Sequence, residues 1–159
     1  MPQSMPQFLR PEDYLFHRSP MLLIEQVNAI GAESVCCSTD LDSPLLKPFS
    51  ADHQLPAYFG IELMAQTVGV WAGHQDLQAG RAQAQGGLIL SVRAYQPCAP
   101  QFKVVPGPLT ITMQMLMQND NFASFEGSIQ HGNQTLATGR LSLCQLNDQL
   151  AHELGLSTH

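Results

Sequence analysis

Leu55-Pro56-Ala57-Tyr58-Phe59-Gly60-Ile61-Glu62-Leu63-Met64-Ala65-Gln66-Thr67-Val68-Gly69-Val70-Trp71-Ala72-Gly73 is the stretch on which the fold turns. Pro56 suits the first turn of a helix, where its missing N–H costs nothing, and no second proline follows between Ala57 and about Gln78. Through Trp71 this segment is apolar on nearly every face. A helix that is hydrophobic all round is buried all round, so it is expected to form the core of the domain rather than cap one side of it. Glu62, Gln66 and Thr67 interrupt the apolar surface and make the stretch a poor membrane span. No membrane association is expected.

Working outward from this helix, the period of the apolar residues changes. Met21 to Ile30 and Ser34 to Leu41 are rich in Leu, Ile and Val and are separated by Gly31-Ala32-Glu33, the pattern of a β-hairpin. Asp42 to Asp52, with two prolines, reads as a loop. Beyond the polar turn Gly80 to Gly87 lie four more strand-like segments: Leu88 to Tyr95, Leu109 to Gln118, Phe122 to Gln130 and Thr135 to Gln145. Pro97 to Pro108 divides the first two, and Asn119-Asp120-Asn121 and His131-Gly132-Asn133 read as hairpin turns between the others. Pro11-Glu12-Asp13 opens a short helix before Tyr14. Met1 to Arg10 and the tail from Asp148, with a short terminal helix to Leu156, are peripheral. Two strands, one long buried helix and four strands describe an α+β architecture, an antiparallel β-sheet wrapped around a long central helix. That is the layout of the hotdog fold.

The chain has 159 residues, room for a single domain over 1–159. Hydrophobic residues make up 44 %, enough for a core, whereas the charged fraction of 13 % is far below the roughly 25 % of an average soluble domain. Some surface that would carry charge is therefore expected to be covered, most simply by another subunit. The net charge of −6 and the lack of any Lys/Arg run argue against nucleic acid. Cys36, Cys37, Cys98 and Cys144 show neither metal-ligand spacing nor a disulfide framework, so no metal is expected. Met1 to Gln7 lacks the apolar stretch of a secretory signal, which points to the cytoplasm. No Gly-rich phosphate loop or Ser-His-Asp order is present.

Glu62 is the most informative residue for chemistry. A carboxyl among Tyr58, Phe59, Ile61, Leu63 and Met64 is expensive to bury in its charged form, and desolvation readies such a group to give or take a proton near neutral pH. Gln66, four residues on, shares its helix face, where its amide can hold the carboxyl in one orientation. The competing reading is structural: Glu62 pairs with an arginine or faces solvent.

Phe16-His17-Arg18-Ser19-Pro20-Met21-Leu22-Leu23-Ile24-Glu25-Gln26-Val27 resembles the opening of the 3-hydroxyacyl-[acyl-carrier-protein] dehydratases, and Gly60-Ile61-Glu62-Leu63-Met64-Ala65-Gln66 resembles their xxExMAQ helix motif. The resemblance extends over roughly Phe8 to Gln145. More narrowly, Leu55 to Glu62 is similar to a divergent branch, the predicted dehydratases of aryl-polyene type pathways. The resemblance implies dehydration of 3-hydroxyacyl thioesters on acyl carrier protein to trans-2-enoyl thioesters, with no cofactor. Glu62 would protonate the departing hydroxyl while a histidine takes the C2 proton.

That histidine precedes the glutamate by fourteen positions in the typical dehydratase, a place held here by Pro48. His53, nine positions before Glu62, is the nearest replacement; its alternative is an ordinary loop residue. The helix start, through N–H groups at about Ala57 to Phe59, would polarise the thioester carbonyl, with Tyr58 and Phe59 as pocket walls or as plain packing residues. Ala57 stands where the family has glycine. His17 resembles a structural residue, and His74 lies ~18 Å along the helix from Glu62, too far for shared proton transfer. Implied partners are an acyl carrier protein, drawn to basic residues such as Arg93 or Lys103, and a second hotdog subunit in a homodimer or heterodimer. Two other readings stay open: a non-catalytic subunit completing a dehydratase heterodimer, and a hotdog acyl thioesterase.

Overall fold

The computed structural model describes residues 8–15, 21–80, 88–119 and 122–145. Its order is α1 (Pro11–Tyr14), β1 (Gln26–Ile30), β2 (Ser34–Asp40), a 3-10 turn (Lys47–Phe49), β3 (Gln54–Pro56), α2 (Phe59–Gln78), β4 (Leu88–Pro97), β5 (Gln101–Lys103), β6 (Pro108–Asn119), β7 (Phe122–His131) and β8 (Gln134–Gln145). Six strands form one antiparallel sheet in the order β1-β2-β6-β7-β8-β4, and α2 packs against all six. The expected hotdog arrangement is what the chain adopts.

Alternation of side chains builds the core. Leu109, Ile111 and Met113 of β6, Phe125 and Ile129 of β7, and Leu141 and Leu143 of β8 face α2 and are buried, while their neighbours point outward. From α2, Leu63, Met64, Val68 and Val70 carry no exposed surface. Trp71 lies edge-on to Phe125 and donates its indole N–H to the Ala32 carbonyl (3.2 Å), fixing the helix under the β1–β2 hairpin. As expected, α2 is enclosed along most of its length; only its last turn emerges.

Gly127 and Gly139 are direct partners across β7 and β8 on the face toward α2. The missing side chain of Gly139 lets Met64 approach, its sulfur lying 3.1 Å from where a Cβ of Gly139 would stand. A Cβ at Gly127 would run into the Thr112 carbonyl oxygen and meet the Met113 sulfur at 2.6 Å. Gly127→Ala is therefore expected to destabilise the fold by about 1–3 kcal/mol, read as a lower midpoint in urea unfolding.

Several sequence expectations need correction. The first strand begins at Gln26 rather than Met21, because the Leu23 N–H and Met21 carbonyl are taken by the Gln66 side chain and do not enter the ladder. Pro56 is not in the helix's first turn. It ends β3, opposite Gln101 of β5, and α2 starts at Phe59. The two-stranded β3–β5 sheet lies within segments read as helix start and loop. The first strand after the helix runs on to Pro97, and His131 is the last residue of β7, with Gly132-Asn133 making the turn to Gln134. His17, the opening motif through Pro20 and the expected terminal helix at 148–156 lie outside the described residues.

Candidate active site

Glu62 sits in the first turns of α2, half-buried, with fully buried Leu63 and Met64 beside it. Gln66 has no exposed surface. Its amide nitrogen donates to the Glu62 Oε1 (3.1 Å) and to the Met21 carbonyl (2.7 Å), and its Oε1 accepts the Leu23 N–H (2.9 Å). Both amide protons are thus committed, one to the carboxylate and one to the backbone. The expected i,i+4 contact is present, and Gln66 also ties Glu62 to Met21 and Leu23 within the opening motif. Such a side chain positions a carboxyl; it has no surface left for a substrate.

The start of α2 is held from two sides. Ala57 donates its N–H to the Pro100 carbonyl (2.9 Å), which extends the β3–β5 pairing by one bond. Its carbonyl accepts the Gly60 N–H (2.9 Å) and the Tyr95 hydroxyl (2.5 Å). The Ala57 N–H is therefore occupied and does not join the expected set of free donors. The N–H groups of Tyr58 and Phe59 have no protein acceptor among the described residues. Tyr58 is exposed, its ring stacked on Phe59 at 4.8 Å, and Phe59 in turn packs on Phe49 at 4.9 Å.

Tyr95 was not singled out from the sequence. Plain alternation along β4 turns it away from the helix, but β4 is bulged against β8 between Arg93 and Gln96, with Ala94 in the left-handed region at φ 54°. The bulge turns the phenol toward α2, and bare Gly60 accommodates it: a Cβ there would overlap the Tyr95 hydroxyl. A tyrosine beside a proline-ended strand and a glycine in the first helical turn were the available signals. Burial, and secondarily the neighbouring Cys98, push the Tyr95 phenol up to about 12.

Burial likewise pushes the Cys37 thiol to about 12, against a partly offsetting hydrogen bond with Thr67. Both groups hold their protons more tightly folded than unfolded, so their contribution is complete below the unfolded values and is lost as pH rises. Unfolding free energy is expected to fall from about pH 9 upward, through about pH 12. Denaturant titrations at a series of alkaline pH values check this, and Tyr95→Phe should reduce the slope above pH ~10.

His53 is exposed. Asp52 and His53, both left-handed at φ 53° and 58°, are the central residues of a tight turn closed by reciprocal N–H to carbonyl bonds of 2.9 Å between Ala51 and Gln54. The His53 carbonyl accepts the Val104 N–H (2.8 Å), while its imidazole makes no hydrogen bond among the described residues. Lys103 is exposed on β5 beside this turn, and Arg93 is exposed on β4. Among the described residues no group of three His, Cys, Asp or Glu side chains could hold a metal, and no helix is long and apolar enough to cross a membrane.

Residues 9–154 match the family model ApeP-like, described as ApeP dehydratase. The chain belongs to the ApeP-like dehydratase family. This ApeP-like chain is 35 % identical to a chain of the dehydratase heterocomplex ApeI:P from Xenorhabdus doucetiae, over 95 % of its own length and 100 % of that chain, with a TM-score of 0.84. More distant structures share only the fold. AziG of S. sahachiroi matches at 15 % identity and TM-score 0.57, covering 77 % of this ApeP-like chain and 90 % of AziG. A hypothetical thioesterase with coenzyme A from Streptococcus pneumoniae matches at 11 % and 0.58, covering 77 % and 85 %. No curated protein matches the sequence.

Proposed function

We propose that this ApeP-like chain dehydrates 3-hydroxyacyl thioesters carried on acyl carrier protein, giving trans-2-enoyl thioesters, as one subunit of a hotdog heterodimer. The observation that carries the reading is the Glu62 carboxyl, held by buried Gln66 one turn from the N–H groups of Tyr58 and Phe59, which have no acceptor among the described residues. In this reading those N–H groups donate to the thioester carbonyl oxygen and stabilise the negative charge that develops on it. A base removes the C2 proton, the C2–H electron pair becomes the C2=C3 bond, and the C3–O bond breaks. Protonated Glu62 gives its proton to the departing hydroxyl, which leaves as water. Tyr58 and Phe59 flank the acyl chain, and Lys103 meets the acidic carrier.

In this reading the base comes from the partner subunit. His53 is exposed in a tight turn, its imidazole without a hydrogen bond among the described residues, and Pro48 stands where the loop histidine of typical dehydratases would be. The heterocomplex of the similar ApeI:P proteins supports pairing with a second hotdog chain.

Incubating the chain with a 3-hydroxyacyl thioester, alone and with a hotdog dehydratase subunit, tests the reading by mass: dehydration leaves the thioester lighter by about 18 Da, whereas hydrolysis frees an acid. Water loss in the mixture is expected. A freed acid would install the thioesterase instead, and turnover by the partner that is indifferent to Glu62 would leave this chain a scaffold. His53→Asn keeps a residue that tolerates the left-handed turn, and should change turnover by no more than about twofold. A loss approaching that of a general base would return the role to His53.

A further inference from the structure

The sheet ends on one side in β4, ten residues long, and on the other in the five-residue β1. Ser91, Val92, Arg93, Ala94, Gln96 and Pro97 of β4 are all exposed. A strand of this length with an open row of backbone N–H and C=O groups is a template for a further strand, unless charge or shape forbids it. In β4 the only charged residue is Arg93.

The register places that charge in a row. Gln114 of β6, Glu126 of β7, Arg140 of β8 and Arg93 of β4 are successive partners across the sheet, on the face away from α2. Arg140 Nη2 reaches Glu126 Oε2 at 3.5 Å. Arg93 lies directly opposite Arg140 and has no acidic partner among the described residues. Like charges directly opposite on adjacent strands are unfavourable, so the row carries an unbalanced positive charge at the open edge.

A second copy pairing through β4 about a two-fold axis would double it. Keeping both long helices on one side of a continuous sheet requires outward residues to oppose outward residues, because a slip of one residue exchanges the faces. The registers that overlap the strand most fully then set Arg93 opposite its own counterpart or opposite Ser91. The two Arg93 side chains are direct neighbours in the first case and about 7–8 Å apart on the diagonal in the second, inside the ~10 Å screening length at moderate salt.

We infer that the Arg93–Arg140 row opposes self-pairing at β4 and selects the edge strand of a different hotdog subunit that presents a carboxylate on its outward face opposite Arg93. The inference rests on the heterodimer reading above and assigns its specificity to repulsion against the wrong partner together with attraction to the right one. The wrong partner is a second copy of this chain.

The test uses the chain itself. Sedimentation equilibrium of the wild type is expected to show self-association tightening about tenfold as salt rises from about 0.05 M to about 0.5 M, because screening relieves the repulsion. Arg93→Ser should self-associate about tenfold more tightly than wild type at low salt and lose that salt response. In Arg93→Glu the row becomes net negative, so an equimolar mixture of this variant with wild type should form mixed dimers above the statistical half, read by native mass spectrometry. Self-association that salt leaves unchanged or weakens, Arg93→Ser indistinguishable from wild type, or mixed dimers at or below the statistical share would overturn the inference. The readout is oligomeric state, so failure of the dehydration reading in a turnover assay and failure of this inference are separate results.

Discussion

Glu62→Gln is expected to lower kcat for dehydration by about 10²- to 10⁴-fold, the usual cost of losing a general acid, while the fold survives. Glutamine has almost the shape of glutamate and can still accept from the Gln66 amide through its own oxygen, so the 3.1 Å contact is retained. What disappears is the transferable proton. Rate measured with the partner subunit present, alongside urea unfolding of the same variant, separates the two effects: a large fall in kcat with an unmoved midpoint is the expected pair. Full activity in Glu62→Gln would remove Glu62 from the chemistry, whatever its surroundings.

Gln66→Met should produce the largest loss of stability among conservative substitutions near the site. The side chain is unbranched and of similar length, so packing changes little, but the Leu23 N–H, the Met21 carbonyl and the Glu62 carboxylate all lose a partner. Leaving buried polar groups unsatisfied costs about 1–3 kcal/mol each, and partial rescue by water brings the expected total to about 2–4 kcal/mol. Activity should fall as well, because a carboxyl free to rotate spends less time aimed at the substrate. A variant with unchanged midpoint and unchanged kcat would show that the three bonds have no consequence in solution.

The long helix was legible because its signal is spread over twenty residues, and no other element can hide so much apolar surface on every side. The hairpins were legible from alternation and their turn residues. The small β3–β5 sheet was not: each strand has three residues and a single buried side chain, Leu55 or Phe102, too short to show a period. The first strand is shorter than its composition suggests for a different reason. Leu22, Leu23 and Ile24 have the composition of a strand, yet the backbone beside them bonds to a glutamine forty-odd residues away.

For the site, the Glu62–Gln66 pairing followed from helical spacing alone, a local rule that tertiary structure did not disturb. Tyr95 escaped because a bulge at a non-glycine residue reverses the side-chain alternation without leaving a composition signal. The occupied Ala57 N–H escaped because its acceptor, the Pro100 carbonyl, belongs to a segment that reads as loop.

The Leu23 amide proton offers a substrate-free report on the same arrangement. It is donated to the one side-chain amide that also grips Glu62, so it can exchange with solvent only when that amide lets go or the whole domain opens. Its deuterium uptake, compared with that of a central strand amide such as Ile111, therefore measures how often the carboxyl is unclamped in the resting protein. A small molecule or a partner chain that steadies the Glu62–Gln66 contact would slow this single proton in the absence of any substrate.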